Sequence, residues 1–176
     1  NIDSSTILRF LDRGIMGITG PHISTGERAR QLADACRFVP RGKRSFGSGR
    51  GAYHGDISSG PEYMEHVNSQ ILVMAQLEDI EVLEHLDEIL AVDGIDLFSS
   101  GAQDIAQSMG LPGQPDHPRV KEFESQVRDA VHATGKRIRD MPIKIADLIA
   151  AAGEFYELRG RRVTFEYVLM DGVTDA

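Results

Sequence analysis

Two short runs place carboxylates where they could share a cation. Gln76-Leu77-Glu78 closes the apolar stretch Ile71-Leu72-Val73-Met74-Ala75, and Gly101-Ala102-Gln103-Asp104 follows a second stretch, Ile95 to Ser99. A continuous apolar run of this length is what a strand covered on both faces looks like. If both runs are strands of one parallel sheet, Glu78 and Asp104 sit at neighbouring C-terminal strand ends, where barrel enzymes build their sites from βα loops. Two such carboxylates can hold one hard cation through oxygen, with water and substrate filling the other positions. Gly101 and Ala102 would offer backbone N–H groups near the start of a short helix, a cradle for a substrate carboxylate. Spacing alone leaves a plainer reading open. In it Glu78 opens a helix, favourably placed on the helix dipole, and Asp104 is a solvated first-turn residue. On periodicity that plainer reading is the commoner one.

The other chemistry-bearing residues are more scattered. Lys43, Arg44 and Arg50 lie in a loop rich in Gly, Ser and Arg, either as a solvated basic loop or as one that meets substrate. His22 follows a strand end and could meet substrate, although a lone His is more often structural. His54, His66, His117 and His132 suggest no role. Cys36 is the only cysteine, so neither an intramolecular disulfide nor an Fe–S cluster can be built.

The elements that must position these residues alternate. Asp3, Ser4 and Ser5 offer an N-cap for a helix over residues 6–11, with Gly14 as its stop. Residues 15–19 read as a short buried strand ending at Gly20-Pro21. Ser24-x-x-Glu27 has the form of a capping box, with Ala29, Leu32, Ala33 and Cys36 following at helical spacing. After the loop from Pro40 to Gly60, Pro61 can open a helix that buries Met64 and Val67. Asp79 can cap a helix carrying Val82, Leu83, Leu86, Ile89 and Leu90. Residues 118–134 place Val120, Phe123, Val127 and Val131 on one face, with Gly135 as the stop. A helix over 143–158 and a strand over 163–169 complete the pattern.

Strands alternating with helices at this pitch imply βα units around a parallel sheet. Four strands are expected, at 15–19, 71–77, 95–99 and 163–169. A closed (β/α)₈ barrel takes eight strands and about 250 residues, so the expected fold is α/β: half of a TIM barrel, about four parallel βα units, completed by oligomerisation. The 176 residues, 41% hydrophobic and 26% charged, fit one globular domain. A net charge of −8 opposes non-specific binding to nucleic acid or to anionic membranes. No apolar run is long enough to span a bilayer, and a cytoplasmic protein is expected. The first residue, Asn1, suggests an excised piece.

MAQLED over residues 74–79, followed by LxxLDEILAVDGIDLFSSGAQDIAQSMGLPGQPDHPRV over residues 83–120, resembles the HpcH/HpaI class II aldolases. That family has a strand ending in Gln-x-Glu and a Gly-Pro-Ala-Asp-like motif after the next. The resemblance implies that Glu78 and Asp104 bind Mg2+ or Mn2+, that Gln76 belongs to the pyruvate-enolate pocket, and that Gly101 and Ala102 contact the pyruvate carboxylate. Ala102 stands where Pro is usual and Gln103 where Ala is usual, and neither departure removes a ligand. Upstream, GIMGITGPHISTGERARQLADACRF and PRGKRSFGSGR resemble the family's strand, helix and Gly-Arg-Arg-Gly-like loop. By that resemblance Arg44, Gly47 and Arg50 belong to an active-site loop that folds over substrate. The family's catalytic His and its pyruvate-binding Arg would lie on strands before Asn1, so the metal and enolate half of the site is expected without the general-base half.

After Lys136 the aldolase pattern stops, because Arg137-Ile138-Arg139-Asp140-Met141-Pro142-Ile143 is poor strand material. The tail, with GRRVTFEYVLMDGVTDA preceded by Phe155-Tyr156, resembles the radical-SAM rRNA adenine methyltransferases. Their Cys-x-x-x-Cys-x-x-Cys is absent, so neither an Fe–S cluster nor S-adenosylmethionine is expected, and Glu166 and Asp171 read as a strand polar position and a turn residue. The expected organisation is an aldolase-like segment over 1–138 joined to a methyltransferase-like segment over 139–176, a chimera within one structural domain. Two functions follow. One is a carbon–carbon lyase acting weakly on pyruvate or oxaloacetate, and the other is an inactive half-barrel with a structural role. Either way the exposed sheet edges predict a homodimer or higher oligomer, which a monodisperse monomer in light scattering would contradict.

Overall fold

The structure, a computed structural model, describes residues 2–47 and 60–140. The chain divides into two compact units, residues 1–141 and 142–176, and the described residues lie in the first. Arg50, the helix over 143–158 and the strand over 163–169 lie outside the described residues.

The first unit begins with helix α1 (Ser4–Leu11), whose N-cap Asp3 accepts the Ser5 N–H, and strand β1 (Gly17–Gly20) follows. Helix α2 (Gly26–Cys36) starts one residue later than the capping-box pattern suggests. Its N-cap is Thr25, whose hydroxyl accepts the Arg28 N–H at 3.3 Å, while Ser24 is buried ahead of it. Helix α3 (Gly60–Gln70) leads to strand β2 (Leu72–Gln76), and helix α4 (Val82–Leu90) to strand β3 (Leu97–Ser100). Helix α5 (Ala102–Ser108), helix α6 (Pro118–Ala133) and strand β4 (Arg137–Asp140) complete the unit.

The four strands run β1-β2-β3-β4, every pair parallel, so each βα unit adds one strand beside the last. Sequential parallel addition without reversal is the winding of a barrel segment. The fourth strand is a correction. Arg137-Ile138-Arg139-Asp140 reads as poor strand material, yet it pairs with β3 from Leu97↔Arg137 to Ser100↔Asp140. The ladder is made by backbone groups, and one inward apolar residue, Ile138 packed on the core, suffices for an edge strand.

Pleating sends alternate residues to opposite faces. Val73, Ala75, Leu77 and Phe98 point to the helix-covered face and are fully buried. There they meet Leu32 of α2, Val82 and Ile89 of α4, and Val120, Phe123, Val127 and Val131 of α6. The helix α6 stripe is the one its 3.6-residue period predicts. Leu72, Met74, Gln76 and Ser99 belong to the opposite face. Leu72 there is 48% exposed, so the expectation that the 71–75 run is covered on both faces fails at its first turn of pleat.

A polar lock fastens the N-terminal ends of the strands. The buried Arg37 guanidinium donates to the Asn68 carbonyl at 2.7 Å, to the Gly94 carbonyl and to Asp96 Oδ2 at 2.6 Å. Asp96 Oδ2 also accepts the Val73 N–H, which ties the entry of β2 to that of β3.

Candidate functional site

The opposite, C-terminal ends of β1, β2 and β3 carry the site. Beyond β2 the chain stays extended, held by the Leu77 N–H on the Ser99 carbonyl at 2.8 Å. That keeps Gln76 and Glu78 on one face with Leu77 buried on the other. Past β3, Gly101 is the N-cap of α5, and Asp104 lies in the first turn.

These residues converge. A Cβ placed on Gly101 would lie 3.0 Å from Glu78 Oε2, 3.1 Å from Gln76 Nε2 and 3.5 Å from Asp104 Oδ2. The space is therefore a cradle only glycine leaves open, walled by two carboxylates and one carboxamide. Glu78 is 2% exposed. Its Oε1 accepts the His22 N–H at 2.9 Å, while its Oε2 is buried without a hydrogen-bond partner among the described residues. Burial pushes the Glu78 pKa up, and the charges of Asp104 and Asp79 add to this. The His22 N–H bond and the His22 ring oppose it. A buried carboxylate oxygen without a donor, facing a second carboxylate, is an arrangement a divalent cation satisfies. Among the described residues no group of three or more His, Cys, Asp or Glu side chains is placed to hold a metal ion.

The structure thus brings Gln76, Glu78, Gly101 and Asp104 together, with Ala102 beside them at the start of α5. Arg44 has other partners. Its side chain is buried, donates to Asp12 Oδ1 at 3.1 Å and lies 4.5 Å over the Phe38 ring, contacts that hold it against the end of α1 and Phe38. Cys36 is buried in the core with its thiol pushed up to about 12 by burial, which makes it unreactive.

One role and one residue escape sequence reasoning: the main-chain contact of His22, and Ser99. His22 meets the site through its main chain, at a φ of +52° that nothing in a histidine announces. Ser99, the register partner of Gln76, is fully buried with its hydroxyl unpartnered among the described residues. Alternation from the core residue Phe98 would have placed Ser99 on the site face.

Parallel strands wound in sequence, with an acidic pair and a carboxamide at their C-terminal ends, define a barrel-type βα protein. Comparison with known proteins narrows this: the chain matches the HpcH/HpaI aldolase/citrate lyase family over residues 1–154 and belongs to that family. It is 36% identical over 138 residues to a hydroxypyruvate/pyruvate aldolase of Rhizorhabdus wittichii, covering 77% of this chain and 53% of the relative. It is 34% identical over 134 residues to a 4-hydroxy-2-oxovalerate aldolase of Rhodococcus jostii, covering 76% of this chain and 51% of the relative. Among solved structures, an HpcH/HpaI aldolase from Desulfitobacterium hafniense superposes with a TM-score of 0.73 at 28% identity, covering 87% of this chain and 59% of that one. The chain spans about half the length of the relatives it matches. The family match runs through the join expected near residue 138, as β4 does, and the comparisons give no support to a methyltransferase-derived tail or to a chimera. No helix among the described residues is long and apolar enough to cross a membrane.

Proposed function

We propose that this chain carries the cation and enolate half of a class II 2-keto acid aldolase site, acting on pyruvate-type substrates by aldol cleavage or oxaloacetate decarboxylation. The observation that carries this reading is the convergence of Glu78 Oε2, Gln76 Nε2 and Asp104 Oδ2 on the open side of Gly101, with Glu78 Oε2 buried and unpartnered among the described residues. Glu78 and Asp104 are the residues that would hold Mg2+ or Mn2+. When bound, such a cation supplies Lewis-acid polarisation of a 2-keto oxygen.

The chain's own groups do the rest. Gln76 Nε2 is a neutral donor beside the carboxylates, suited to an oxygen that gains negative charge as the enolate forms. The N–H groups of Gly101 and Ala102 are offered to the substrate carboxylate. The missing Cβ at Gly101 gives a small keto acid its room. In oxaloacetate the C3–C4 bond breaks, carbon dioxide leaves, and the electron pair remains as pyruvate enolate, which water then protonates. This reaction removes no hydroxyl proton, unlike aldol cleavage. Decarboxylation is therefore the activity expected to be measurable first.

The test is pyruvate release from oxaloacetate with added Mn2+, comparing the chain with its Glu78→Gln variant. Metal-dependent release above the rate with Mn2+ alone, lost in the variant, is the expected result. Equal rates in both would overturn the proposal and leave a fold that has kept the family's carboxylates without their work.

A further inference from the structure

The turn that follows β1 reaches the site without a task in the function proposed above. Residues 20–23 leave the sheet and cross to the end of β2. The N–H of Ile23 donates to the Gln76 carbonyl at 3.0 Å, and the N–H of His22 to Glu78 Oε1 at 2.9 Å. Two successive amides therefore grip both ends of Gln76-Leu77-Glu78. The His22 ring adds a third contact, with Nδ1 3.2 Å from Asp79 Oδ1 and 3.5 Å from Glu78 Oε1.

The backbone of His22 is what aims the N–H. With φ at +52° it occupies the left-handed region, which side-chain-bearing residues visit reluctantly and β-branched ones least of all. A conformation of this kind persists only where its surroundings over-determine it, and such positions cluster at functional sites. Here the surroundings are visible: Pro21 precedes it, and Asp79 holds the ring from the neighbouring strand end.

The consequence falls on the carboxylate. An unrestrained glutamate can turn either oxygen, or both, towards a cation. With Oε1 engaged by an N–H, the oxygen of Glu78 without a partner among the described residues is Oε2, the one at the Gly101 cradle. We propose that His22 is a positioning residue for Glu78: its left-handed main chain places an N–H on Oε1, so that Oε2 alone is offered to a divalent cation, and the Asp79-held ring maintains that backbone. This rests on the reading of Glu78 and Asp104 as a cation site. It makes Glu78 a one-oxygen ligand and the β1 turn part of the site.

Two readouts on the full chain test it, one without metal and one with Mn2+ as the probe. Hydrogen exchange followed by NMR should show the His22 amide protected in the wild type and unprotected in Glu78→Ala, before any metal is added. A His22 amide that exchanges as fast in the wild type as in Glu78→Ala would overturn the inference. Mn2+ affinity, read from the electron-spin signal of the free ion, should fall by about tenfold or more in His22→Val, the scale of losing a ligand's supporting contact. His22→Gly adopts the left-handed backbone without cost and keeps the N–H. It should hold affinity closer to wild type than His22→Val does, a rescue that a merely structural role for the ring would not give. If His22→Val fails to fold, Asp79→Asn takes its place, expected to weaken Mn2+ binding while residue 22 stays histidine. Folded His22→Val or Asp79→Asn binding Mn2+ like the wild type would sink the positioning role and leave the cation site standing. A wild type that takes up no Mn2+ would remove the cation site itself, and the inference with it.

Discussion

Replacing Glu78 by Gln separates what this carboxylate does to the fold from what it does for a cation. The side chain is buried, one oxygen has no hydrogen-bond donor among the described residues, and burial beside Asp104 and Asp79 raises its pKa. The direction fixes the sign. A carboxyl whose pKa is higher in the folded state binds its proton better there. Its contribution to stability is fully present below the unfolded value, near 4.3 for glutamate, and is lost as pH rises through the folded value. At pH 7.5, without metal, ionised Glu78 therefore burdens the fold. Glutamine keeps an oxygen to accept the His22 N–H and replaces the orphan oxygen with a donor facing Asp104 Oδ2. Relieving one buried unsatisfied polar group is worth about 2 kcal/mol, within a range of roughly 1–3. For a chain of this size that raises the melting temperature by roughly 4–8 °C.

A bound cation inverts the order. At a concentration about a hundred times its Kd, Mn2+ stabilises the wild type by about 2.7 kcal/mol, and the variant, short of one carboxylate, gains far less. The assay is thermal unfolding by circular dichroism after chelation, at pH 7.5 and pH 4, each with and without Mn2+. Metal-free at pH 7.5 the variant should melt higher, at pH 4 the gap should close, and with Mn2+ at pH 7.5 the wild type should lead. A metal-free variant melting below the wild type at pH 7.5 would refute the reasoning, because the contacts of Glu78 to His22 would then outweigh the cost of burying its charge.

Two further substitutions divide fold from site. Gly101→Ala has an ordinary extended backbone to occupy, so its stability should stay within about 1 kcal/mol of wild type. Its Cβ meets Glu78 Oε2 and Gln76 Nε2 at 3.0 and 3.1 Å, so Mn2+-dependent pyruvate release should drop by roughly a hundredfold, as small misplacements of reacting groups do. Full activity in this variant would mean that the cradle is not where substrate binds. Arg44→Met should lose about 1–2 kcal/mol in urea unfolding, from the broken pair with the partly exposed Asp12 and the vacated Phe38 face, while KM for oxaloacetate stays within about twofold. A large rise in KM at unchanged stability would return Arg44 to the substrate loop.

What the sequence discloses and what it hides divide along a physical line. Signals that repeat within one element are legible. The Val120, Phe123, Val127 and Val131 stripe gives α6, and the apolar runs give β2 and β3 with Glu78 and Asp104 at their ends. Signals that depend on a distant partner are not. Arg44 in a Gly- and Ser-rich stretch looks solvated until Asp12 and Phe38 close on it. Strand β4 has one apolar residue facing the core, and its identity comes from the β3 ladder it completes. The α2 cap shows a finer limit, since Ser24 and Thr25 are chemically alike and only the backbone decides that Thr25 takes the Arg28 N–H. His22 is the hardest case, because a positive φ at a non-glycine residue is imposed by surroundings rather than by its own chemistry.

The same line explains why a site can be well formed on a four-strand segment. Every described member lies at the end of one of three adjacent strands, and the bonds that set its position run between those ends. Ile23 N–H reaches the Gln76 carbonyl, Leu77 N–H the Ser99 carbonyl, and Ile80 N–H the Ser108 hydroxyl of α5. At the far ends of β2 and β3, Arg37 and Asp96 hold the strands in register, so the pleat that points Gln76 and Glu78 into the cradle is fixed from both ends. A one-residue slip would turn those side chains into the helix-covered core, where Val73, Ala75 and Leu77 now pack. Hydrophobic packing on one face thus enforces polar convergence on the other. The placement of the carboxylate pair is a local property of β1 to β3 and their loops.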